Sequence, residues 1–222
     1  MCGRFALSLD SAELQSAFPQ FSFPTQLRPR YNIAPGQPIL VLPNDASQRA
    51  DFFLWGLVPS WAKDPKIGTR LINARAETLA EKPAFRSAFR YRRCLIFANG
   101  FYEWKNQAES GKKIPYFIRL KSGEPFAFAG LWEIWLGADG SEIRSAAIIT
   151  TEANEVVRPI HERMPVILPR NRYAQWLAPS LQSPLDLRRM LHPYPAQEME
   201  AYPVSSRVNH PSYDQADCLL QA

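Results

Sequence analysis

Prolines are spread along the whole chain, and they constrain the fold more than any other feature of the sequence. There are 20 of them among 222 residues. Because proline fixes φ and has no backbone N–H, it interrupts long helices and central strands. The sequence therefore predicts many short elements joined by fixed turns. No repeat, low-complexity block or flexible linker divides the chain, so we expect a single domain over residues 1–222.

Most segments between the prolines are of strand type. Apolar runs predict strands at 38–42, 51–58, 114–120, 125–135, 143–150 and 164–168. Short helices are predicted at 10–18, 80–93, 171–178 and 185–191. Closely spaced strands without regular βαβ alternation favour mainly antiparallel sheets with peripheral short helices, an α+β fold.

Two of these segments carry more specific expectations. The helix at 80–93 is expected to have an apolar side and a basic side, and the basic side includes Arg86, Arg90 and Arg93. Residues 28–36, RPRYNIAPG, are predicted to form a loop because of their Gly and Pro punctuation.

An Asn-Gly pair lies between two apolar runs in CLIFANGFYEWK. Asn99-Gly100 in this setting predicts a tight β-hairpin. In the strand that follows, alternation places Phe101 and Glu103 on one face and Tyr102 on the other. A glutamate among aromatic residues is partly desolvated, which raises the carboxyl pKa and suits the group to general acid–base work. The alternative is an edge-strand carboxylate that points at water.

The charge and cysteine content narrow the class of protein. The formal net charge is +5 and the sequence pI is about 9.2, which favours an anionic partner such as nucleic acid, although a merely basic protein would show the same values. Three cysteines without a CxxC pair support neither a disulfide framework nor a zinc site. We expect no metal, no cofactor and no membrane association. The predicted location is the cytoplasm, or the nucleus in a eukaryote.

The second residue, in MCGRF, carries the first candidate chemistry. Methionine aminopeptidases remove an initiator methionine when the next residue is small, as Cys2 is. The exposed residue then has a thiol and an α-amine on adjacent carbons, and the pKa of an α-amine is about 8. The neutral amine forms Schiff bases with carbonyl compounds, and the thiol can close the imine into a thiazolidine. The alternative is that Cys2 is simply a small buried residue.

Three further side chains could take part in chemistry. His161, in RPIHERMPVIL, could move a proton near neutral pH, or could be a hydrogen-bonded structural residue. Asn73, in LINARAET, could orient an amine or a hydroxyl, and Arg75 could meet a phosphate. A turn asparagine and a solvated arginine are the local alternatives.

Six segments in this order resemble the SOS-response-associated-peptidase (SRAP) family. They are MCGRF, YNIAPG, WGLVPSWAKD, INARAET, RRCLIFANGFYEWK and IHERMPVIL, and they run from Cys2 to about Leu168. The resemblance implies a barrel-like core. It also implies that the protein senses abasic sites in single-stranded DNA, including single/double-strand junctions, and crosslinks to them as a thiazolidine. The expected form is a monomer.

The resemblance also assigns roles to individual residues. The implied catalytic residues are Cys2, Asn73, Glu103 and His161. The implied DNA-binding residues are Arg4, Asn32, Pro35, Trp61, Arg75 and Thr150. Two other functions stay open on the residues alone: a hydrolase with an N-terminal cysteine nucleophile, of the peptidase or amidotransferase type, and a DNA-binding module without catalysis.

Overall fold

The computed structural model describes residues 2–107, 111–179 and 183–222, and strands dominate it. The strands are β1 (Phe5–Leu7), β2 (Arg30–Ile33), β3 (Pro38–Pro43), β4 (Asp51–Trp55), β5 (Asn73–Arg75), β6 (Arg93–Ala98), β7 (Gly100–Asn106), β8 (Lys113–Leu120), β9 (Phe126–Leu136), β10 (Glu142–Glu152), β11 (Arg163–Pro165), β12 (Ile167–Leu168) and β13 (Met199–Pro203).

The helices are short and lie outside the sheets. The α-helices are α1 (Ser11–Ala17), α2 (Arg86–Tyr91), α3 (Tyr173–Leu177) and α4 (Pro184–Arg188). Single 3₁₀ turns occupy Pro65–Arg70, Arg170–Arg172, Ala196–Glu198, Ser206–Asn209 and Ala216–Leu219. Among the described residues, no helix has the length and apolar character needed to cross a lipid bilayer.

Five strands close into a barrel. They follow the order β10-β4-β3-β6-β9, and β9 pairs back onto β10. The β10–β4 pair is parallel and the other barrel pairs are antiparallel. Beyond its contact with β9, β10 continues between β5 and β11. The α+β fold with a barrel-like core and peripheral short helices is confirmed.

A second sheet packs against the barrel. Its order is β13-β8-β7-β1-β2, and all its pairs are antiparallel. Phe5 of β1 joins the two layers, because its ring meets Trp55 at 5.1 Å and Phe128 at 5.7 Å in edge-to-face contacts. One apolar core therefore extends from the barrel into the second sheet.

The Asn99-Gly100 hairpin prediction is wrong. Strand β6 belongs to the barrel and β7 to the second sheet, so the two strands flanking this pair do not bond to each other. Asn99 instead bonds to the first strand region: its N–H donates to Ala6 O at 2.8 Å, and its Oδ1 accepts from Ser8 N at 2.6 Å. Neither Asn99 nor Gly100 has the positive φ that a type I′ turn requires. A Cβ at Gly100 would lie 2.3 Å from Phe117 Cζ, so glycine is needed for close strand approach.

Three other segments differ from the sequence-based expectations. The predicted loop at 28–36 contains strand β2, which pairs with β1. The strand predicted at 164–168 is split, because β11 pairs with β10 whereas β12 pairs with β9. The strand predicted at 51–58 ends at Trp55, where Gly56 takes a φ of +137° and its backbone approaches Gly68.

The predicted basic side of the helix at 80–93 is only partly correct. The helix itself is short, Arg86–Tyr91, and Arg93 already belongs to β6 with no exposed surface. The Arg93 guanidinium donates to backbone carbonyl oxygens of α2 and of the segment around α3. Arg93 is therefore a structural residue, because its guanidinium supplies the hydrogen-bond donor for four backbone carbonyl groups where these elements meet.

Candidate active site between the barrel and the second sheet

The four predicted catalytic residues come from four separate segments that meet where the barrel contacts the second sheet. Cys2 precedes β1 and Glu103 lies in the middle of β7, and both strands belong to the second sheet. Asn73 begins β5 and His161 precedes β11, so both lie beside the part of β10 that extends beyond β9. The two pairs are joined across this junction by the contacts described next.

Cys2 is held by its backbone and enclosed by the core. Its side chain has no exposed surface, its Sγ lies 3.9 Å from Arg4 O, and its carbonyl oxygen accepts a hydrogen bond from Asn73 Nδ2 at 2.7 Å. Burial, and after it the negative charge of Glu103, raises the pKa of the Cys2 thiol well above its ordinary value. At neutral pH the sulfur is therefore a thiol rather than a thiolate.

Glu103 is a buried carboxyl group on the face of β7 that the alternation predicts. Only 3% of the residue is exposed, and Phe101 on the same face belongs to the main core. Tyr102 and Trp104 lie on the other face, in a separate apolar cluster. Burial raises the pKa of Glu103 to about 7, so a large fraction of this carboxyl is protonated at neutral pH.

His161 faces Glu103 and its ring is oriented by the backbone. The Arg163 N–H lies 2.9 Å from His161 Nδ1 and Arg163 O lies 3.2 Å from the same atom, and the shorter contact favours the neutral ring that carries its proton on Nε2. Nε2 lies 4.0 Å from Glu103 Oε2. Burial lowers the pKa of His161, so the ring is mainly neutral at pH 7. Because the pKa of Glu103 is raised and that of His161 is lowered, an acidic proton at neutral pH resides on the Glu103 carboxyl rather than on a charged imidazolium.

Two buried oxygen atoms near these groups have no hydrogen-bond partner within the described residues. They are Asn73 Oδ1 and Thr150 Oγ1. Their strands are neighbours, since β5 runs parallel to β10 with Arg75 opposite Thr150. Buried polar atoms are normally satisfied in folded proteins, so the described chain leaves acceptor capacity unused at both oxygens.

Arg4 and Asn32 form a unit at the same junction. Arg4 Nη1 donates to Asn32 Oδ1 and to Val208 O, both at 2.7 Å. Asn32 has no exposed surface, and its Nδ2 donates to Val208 O, His210 O and Tyr213 O. Asn32, predicted to line a DNA groove, thus has its amide committed to Arg4 and to the C-terminal segment. In this conformation it can influence a ligand only through these neighbours.

Three other predicted DNA-binding residues lie on the surface, whereas Thr150 has no exposed surface. Pro35 and Arg75 are exposed, and 60% of Trp61 is exposed, an unusual fraction for a tryptophan. No described hydrogen bond or ring contact joins Trp61 or Pro35 to the catalytic candidates. The structure therefore separates the predicted set into a buried group at the junction and an exposed group around it.

Sequence reasoning missed one residue at this site. Arg163 binds Glu77 through two hydrogen bonds of 2.6 and 2.9 Å and also donates to Thr150 O. The hydrogen bond from Arg163 holds the pKa of Glu77 below its ordinary value. Because its backbone N–H fixes His161, Arg163 connects the histidine to β10. Its position two residues after His161, in IHER, was the available signal.

The C-terminal segment was missed as well. The carboxylate of Asp214 accepts hydrogen bonds from the N–H groups of Tyr31 and Asn32 and from the Arg30 side chain. This carboxylate anchors the segment on the open edge of β2. Among the residues that the structure describes, no group of three or more His, Cys, Asp or Glu side chains could hold a metal ion.

Comparisons with known proteins identify the family of this chain. The profile of the SOS response associated peptidase (SRAP) family matches residues 1–211. "Abasic site processing protein YoaM" of Bacillus subtilis (strain 168) is 49% identical over 226 residues, which cover 99% of this chain and 97% of that protein. "Abasic site processing protein YedK" of Escherichia coli (strain K12) is 32% identical over 186 residues, covering 80% of this chain and 79% of that protein.

The fold matches solved structures over its whole length. The crystal structure of a protein from Bacteroides thetaiotaomicron superimposes with a TM-score of 0.89 at 26% identity, covering 100% of both chains. A second structure, from Bordetella bronchiseptica, has a TM-score of 0.78 at 26% identity and covers 92% of this chain. From the family profile and the identity to its relatives, this chain belongs to the SOS response associated peptidase (SRAP) family.

Proposed function

We propose that this protein processes abasic sites, and that it does so by capturing them covalently in single-stranded DNA through Cys2. The names of its relatives support the substrate class. The observation that carries the chemistry is the Asn73–Cys2 hydrogen bond of 2.7 Å beside the Glu103–His161 pair at 4.0 Å. These four groups supply a nucleophile, its positioning group and two sites for proton transfer within one enclosed junction.

The first step opens the sugar. An abasic deoxyribose is mostly a closed hemiacetal, and only its open form has an aldehyde. Opening breaks the bond between C1′ and the ring oxygen: an acid gives a proton to that oxygen, and its conjugate base takes the proton of the C1′ hydroxyl, which becomes the aldehyde carbonyl. Glu103, with a pKa of about 7, holds such a proton at neutral pH. A carboxyl group with an ordinary pKa would have lost it.

The second step forms the imine. Removal of the residue before Cys2 frees the α-amine, which attacks the aldehyde carbon and gives a carbinolamine. Water leaves when the carbinolamine oxygen receives a proton from Glu103, with the His161 Nε2–H as a hydrogen-bond donor to the same oxygen, and the nitrogen gives its own proton back to the Glu103 carboxylate. Asn73, which already binds the Cys2 backbone, positions the amine. The C–N single bond becomes a C=N bond.

The third step closes the thiazolidine. The Cys2 sulfur bonds to the imine carbon, the C=N electrons move to nitrogen, and the thiol proton ends on that nitrogen. No oxidant or reductant is needed. Because the thiol pKa is raised by burial, the amine reacts before the sulfur does. This order disfavours a hydrolase that would need a thiolate as its first nucleophile.

The exposed group of residues suits contact with a single strand. Trp61 presents an aromatic surface on which a base can stack, and Arg75 is exposed for a phosphate. The net charge of +5 adds an attraction that salt weakens and that is independent of base sequence. Junctions between single and double strands would be bound at the same surface.

A denaturing gel tests the covalent step. The processed protein, with loss of the first residue verified by intact mass, is mixed with single-stranded DNA carrying one abasic site and is then heated in SDS. We expect a band of crosslinked protein, which Cys2→Ala abolishes. Cys218→Ala is the matched control, since Cys218 is also free and buried but lies in the second apolar cluster. A wild-type protein without the band, or Cys2→Ala with it, would contradict the proposal.

A second variant tests the order of the steps. Cys2→Ser keeps the α-amine but lacks the sulfur, so it should stop at the imine. We expect its crosslink to survive denaturation only after cyanoborohydride reduction, whereas the wild-type crosslink survives without it. An unreduced Cys2→Ser band as stable as the wild-type band would rule out thiazolidine closure as the source of stability.

A further inference from the structure

Two of the four catalytic candidates lie on or beside three-residue strands at opposite edges of β10. Asn73 begins β5, and His161 lies two residues before β11. Because Thr150 of β10 lies opposite both Arg75 and Pro165, β5 and β11 occupy opposite edges. Three residues of pairing supply few backbone hydrogen bonds, so side-chain contacts contribute to where each of these strands lies.

Strand β5 is fixed at the site, because Asn73 donates to Cys2 O at 2.7 Å. The Glu77–Arg163 ion pair connects the end of this segment to the start of β11. Nη1 and Nη2 of Arg163 donate to the two carboxylate oxygens of Glu77 at 2.6 and 2.9 Å, and Nη2 also donates to Thr150 O of β10 at 2.8 Å. A two-point contact between a planar guanidinium and a carboxylate fixes orientation as well as distance. The pair therefore crosses β10 and holds β11 relative to β5.

The same arginine contacts the histidine through its backbone. The Arg163 N–H lies 2.9 Å from His161 Nδ1, and the other ring nitrogen, Nε2, lies 4.0 Å from Glu103 Oε2. A shift of Arg163 would therefore change the position of the ring relative to the carboxyl group. Glu77 can act on the ring through Arg163, without contacting the reacting atoms.

The charge of Glu77 is unfavourable for DNA binding. Glu77 lies two residues after Arg75, which is exposed and predicted to meet a phosphate, and half of the Glu77 side chain is exposed. The hydrogen bond from Arg163 and, to a smaller extent, the charge of Arg75 keep the pKa of Glu77 below its ordinary value, so the group is a carboxylate at neutral pH. A carboxylate at this position repels the DNA backbone and offsets part of the attraction due to Arg75. The contact with Arg163 is the interaction that can compensate for this repulsion.

We propose that Glu77 is a positioning residue for His161, and that it speeds crosslinking while it weakens the attraction of DNA. The inference rests on the proposed function, because it assigns a further residue to that same site. Glu77 holds Arg163 across β10, and Arg163 holds the imidazole ring. The rate and the affinity thus depend on Glu77 in opposite directions, which distinguishes it from a residue that only supports the fold.

The test compares Glu77→Gln with wild type and measures rate and affinity separately. Glutamine has the shape of glutamate but no charge, and it offers one oxygen where the carboxylate offers two. Because the ion pair is partly exposed, we expect the variant to fold. Single-turnover crosslinking over a range of protein concentrations gives the maximal rate. The dissociation constant is measured with single-stranded DNA carrying a tetrahydrofuran abasic analogue, which has no aldehyde and cannot crosslink.

The matched control is Glu200→Gln. Glu200 also joins two neighbouring strands through an arginine, Arg119, at 2.7 Å. Its strands are β13 and β8, which carry none of the catalytic candidates. We expect this substitution to leave the maximal rate and the dissociation constant unchanged.

We expect Glu77→Gln to lower the maximal rate by about tenfold and to bind the analogue about twofold more tightly. In a His161→Ala background the same substitution should lower the rate no further, because the ring that Glu77 positions is absent. An unchanged maximal rate, an equal further loss in the His161→Ala background, or weaker binding of the analogue would overturn the proposal.

A second readout does not need the covalent step. The chain has three histidines, so the ring signals of His161 in the proton NMR spectrum are identified by their loss in His161→Ala. Glu77→Gln should shift these signals and leave those of His192 and His210 in place, and Glu200→Gln should shift none of them. Unshifted His161 signals would contradict the positioning role. If the wild-type protein does not crosslink, the proposed function fails, and the His161 signals still decide whether Glu77 positions the ring.

Discussion

Two regions of the molecule bury the same three residue types and use them in opposite ways. One, which we call the wall cluster, lies just after β3 and at the start of β6 of the barrel. The other, the site cluster, lies at the junction with the second sheet. The wall cluster consists of Asn44, Arg93 and Cys94, and the site cluster consists of Cys2, Arg4 and Asn32. All six are nine-tenths buried or more.

In the wall cluster the protein satisfies its own polar groups. Arg93 donates to four carbonyl groups at 2.5–3.2 Å. Asn44 accepts from Arg93 N and Trp132 Nε1 and donates to Tyr91 O. In the site cluster Arg4 uses only Nη1 and keeps its Nε without a partner in the described chain. The difference separates an arginine whose donor nitrogens are all bound by the protein from one that keeps an unpartnered donor, although burial alone would rank them together.

The largest expected effect comes from replacing the buried arginine of each cluster, Arg93 or Arg4, by alanine. Arg93→Ala leaves four carbonyl groups of the corner without their donor, so we expect the free energy of unfolding to fall by about 3–5 kcal/mol. Arg4→Ala removes fewer internal bonds and should cost about 1–2 kcal/mol of stability, but it should weaken binding to abasic-analogue DNA and make its salt dependence shallower. Urea unfolding and binding at several salt concentrations measure the two quantities.

A reversed pattern would remove the distinction between the two arginines. If Arg4→Ala destabilised the fold as much as Arg93→Ala and left the salt dependence of binding unchanged, Arg4 would be structural too. The salt slope is the deciding value, because a purely structural arginine does not alter the number of phosphate contacts.

The second effect concerns the stability cost of keeping Glu103 ready for catalysis. Its pKa rises from an ordinary 4.5 to about 7 in the folded protein. Between these values the unfolded chain releases a proton that the folded chain retains, so stability falls as pH rises through this interval, by up to about 3 kcal/mol. Above pH 7, Glu103→Gln should therefore be more stable than wild type, and below pH 4.5 the two should be similar.

Denaturant unfolding at pH 4 and pH 8 checks this expectation. Glu124→Gln is the control, since Glu124 is an exposed carboxylate whose pairing with Arg170 contributes little. A Glu103→Gln protein that is less stable than wild type at pH 8 would mean that the carboxylate form is stabilised by the fold.

The contrast also explains what the sequence could and could not predict. Strand and helix positions followed from local patterns, and the alternation FYEW correctly placed Glu103 on the face of Phe101. The Asn99-Gly100 hairpin failed because the same dipeptide also suits a chain that passes from one sheet to another. Which sheet a strand joins depends on partners distant in sequence, here Ala6 and Ser8.

The burial of a charged residue was the other feature that the sequence could not predict. Arg93 was assigned to the basic side of a helix, since helical periodicity placed it with Arg86 and Arg90. Its carbonyl partners at Trp176 and Ala178 lie more than eighty residues away and leave no local signal. Cys2, Asn73, Glu103 and His161 were candidates from their own chemistry, but only the family resemblance joined them into one site, because their segments are distant in sequence.

The third prediction concerns the pH dependence of crosslinking, which tests whether Glu103 supplies the proton. The rate should rise with pH as the Cys2 amine loses its proton, and fall as Glu103 loses its own near pH 7. Glu103→Gln should slow crosslinking by roughly 100-fold and abolish the fall on the alkaline side. Single-turnover rates from pH 5 to 9 measure both changes. A variant that keeps the alkaline fall would assign it to another group.

The smallest expected effect comes from replacing the buried asparagine of each cluster, Asn32 or Asn44, by alanine. Asn32 holds Arg4 at 2.7 Å, so Asn32→Ala should weaken DNA binding by about tenfold only when Arg4 is present. In the double variant with Arg4→Ala it should add nothing. Asn44→Ala, which removes an equally buried amide from the wall cluster, should lower stability and leave binding by the folded protein unchanged. The coupling between Asn32 and Arg4 is measured in a double-mutant cycle, from the affinity for single-stranded DNA that carries a tetrahydrofuran abasic analogue, which has no aldehyde and cannot crosslink. Because Asn32 also binds the C-terminal segment, an independent loss in the double variant would mean that it acts through that segment instead of through Arg4.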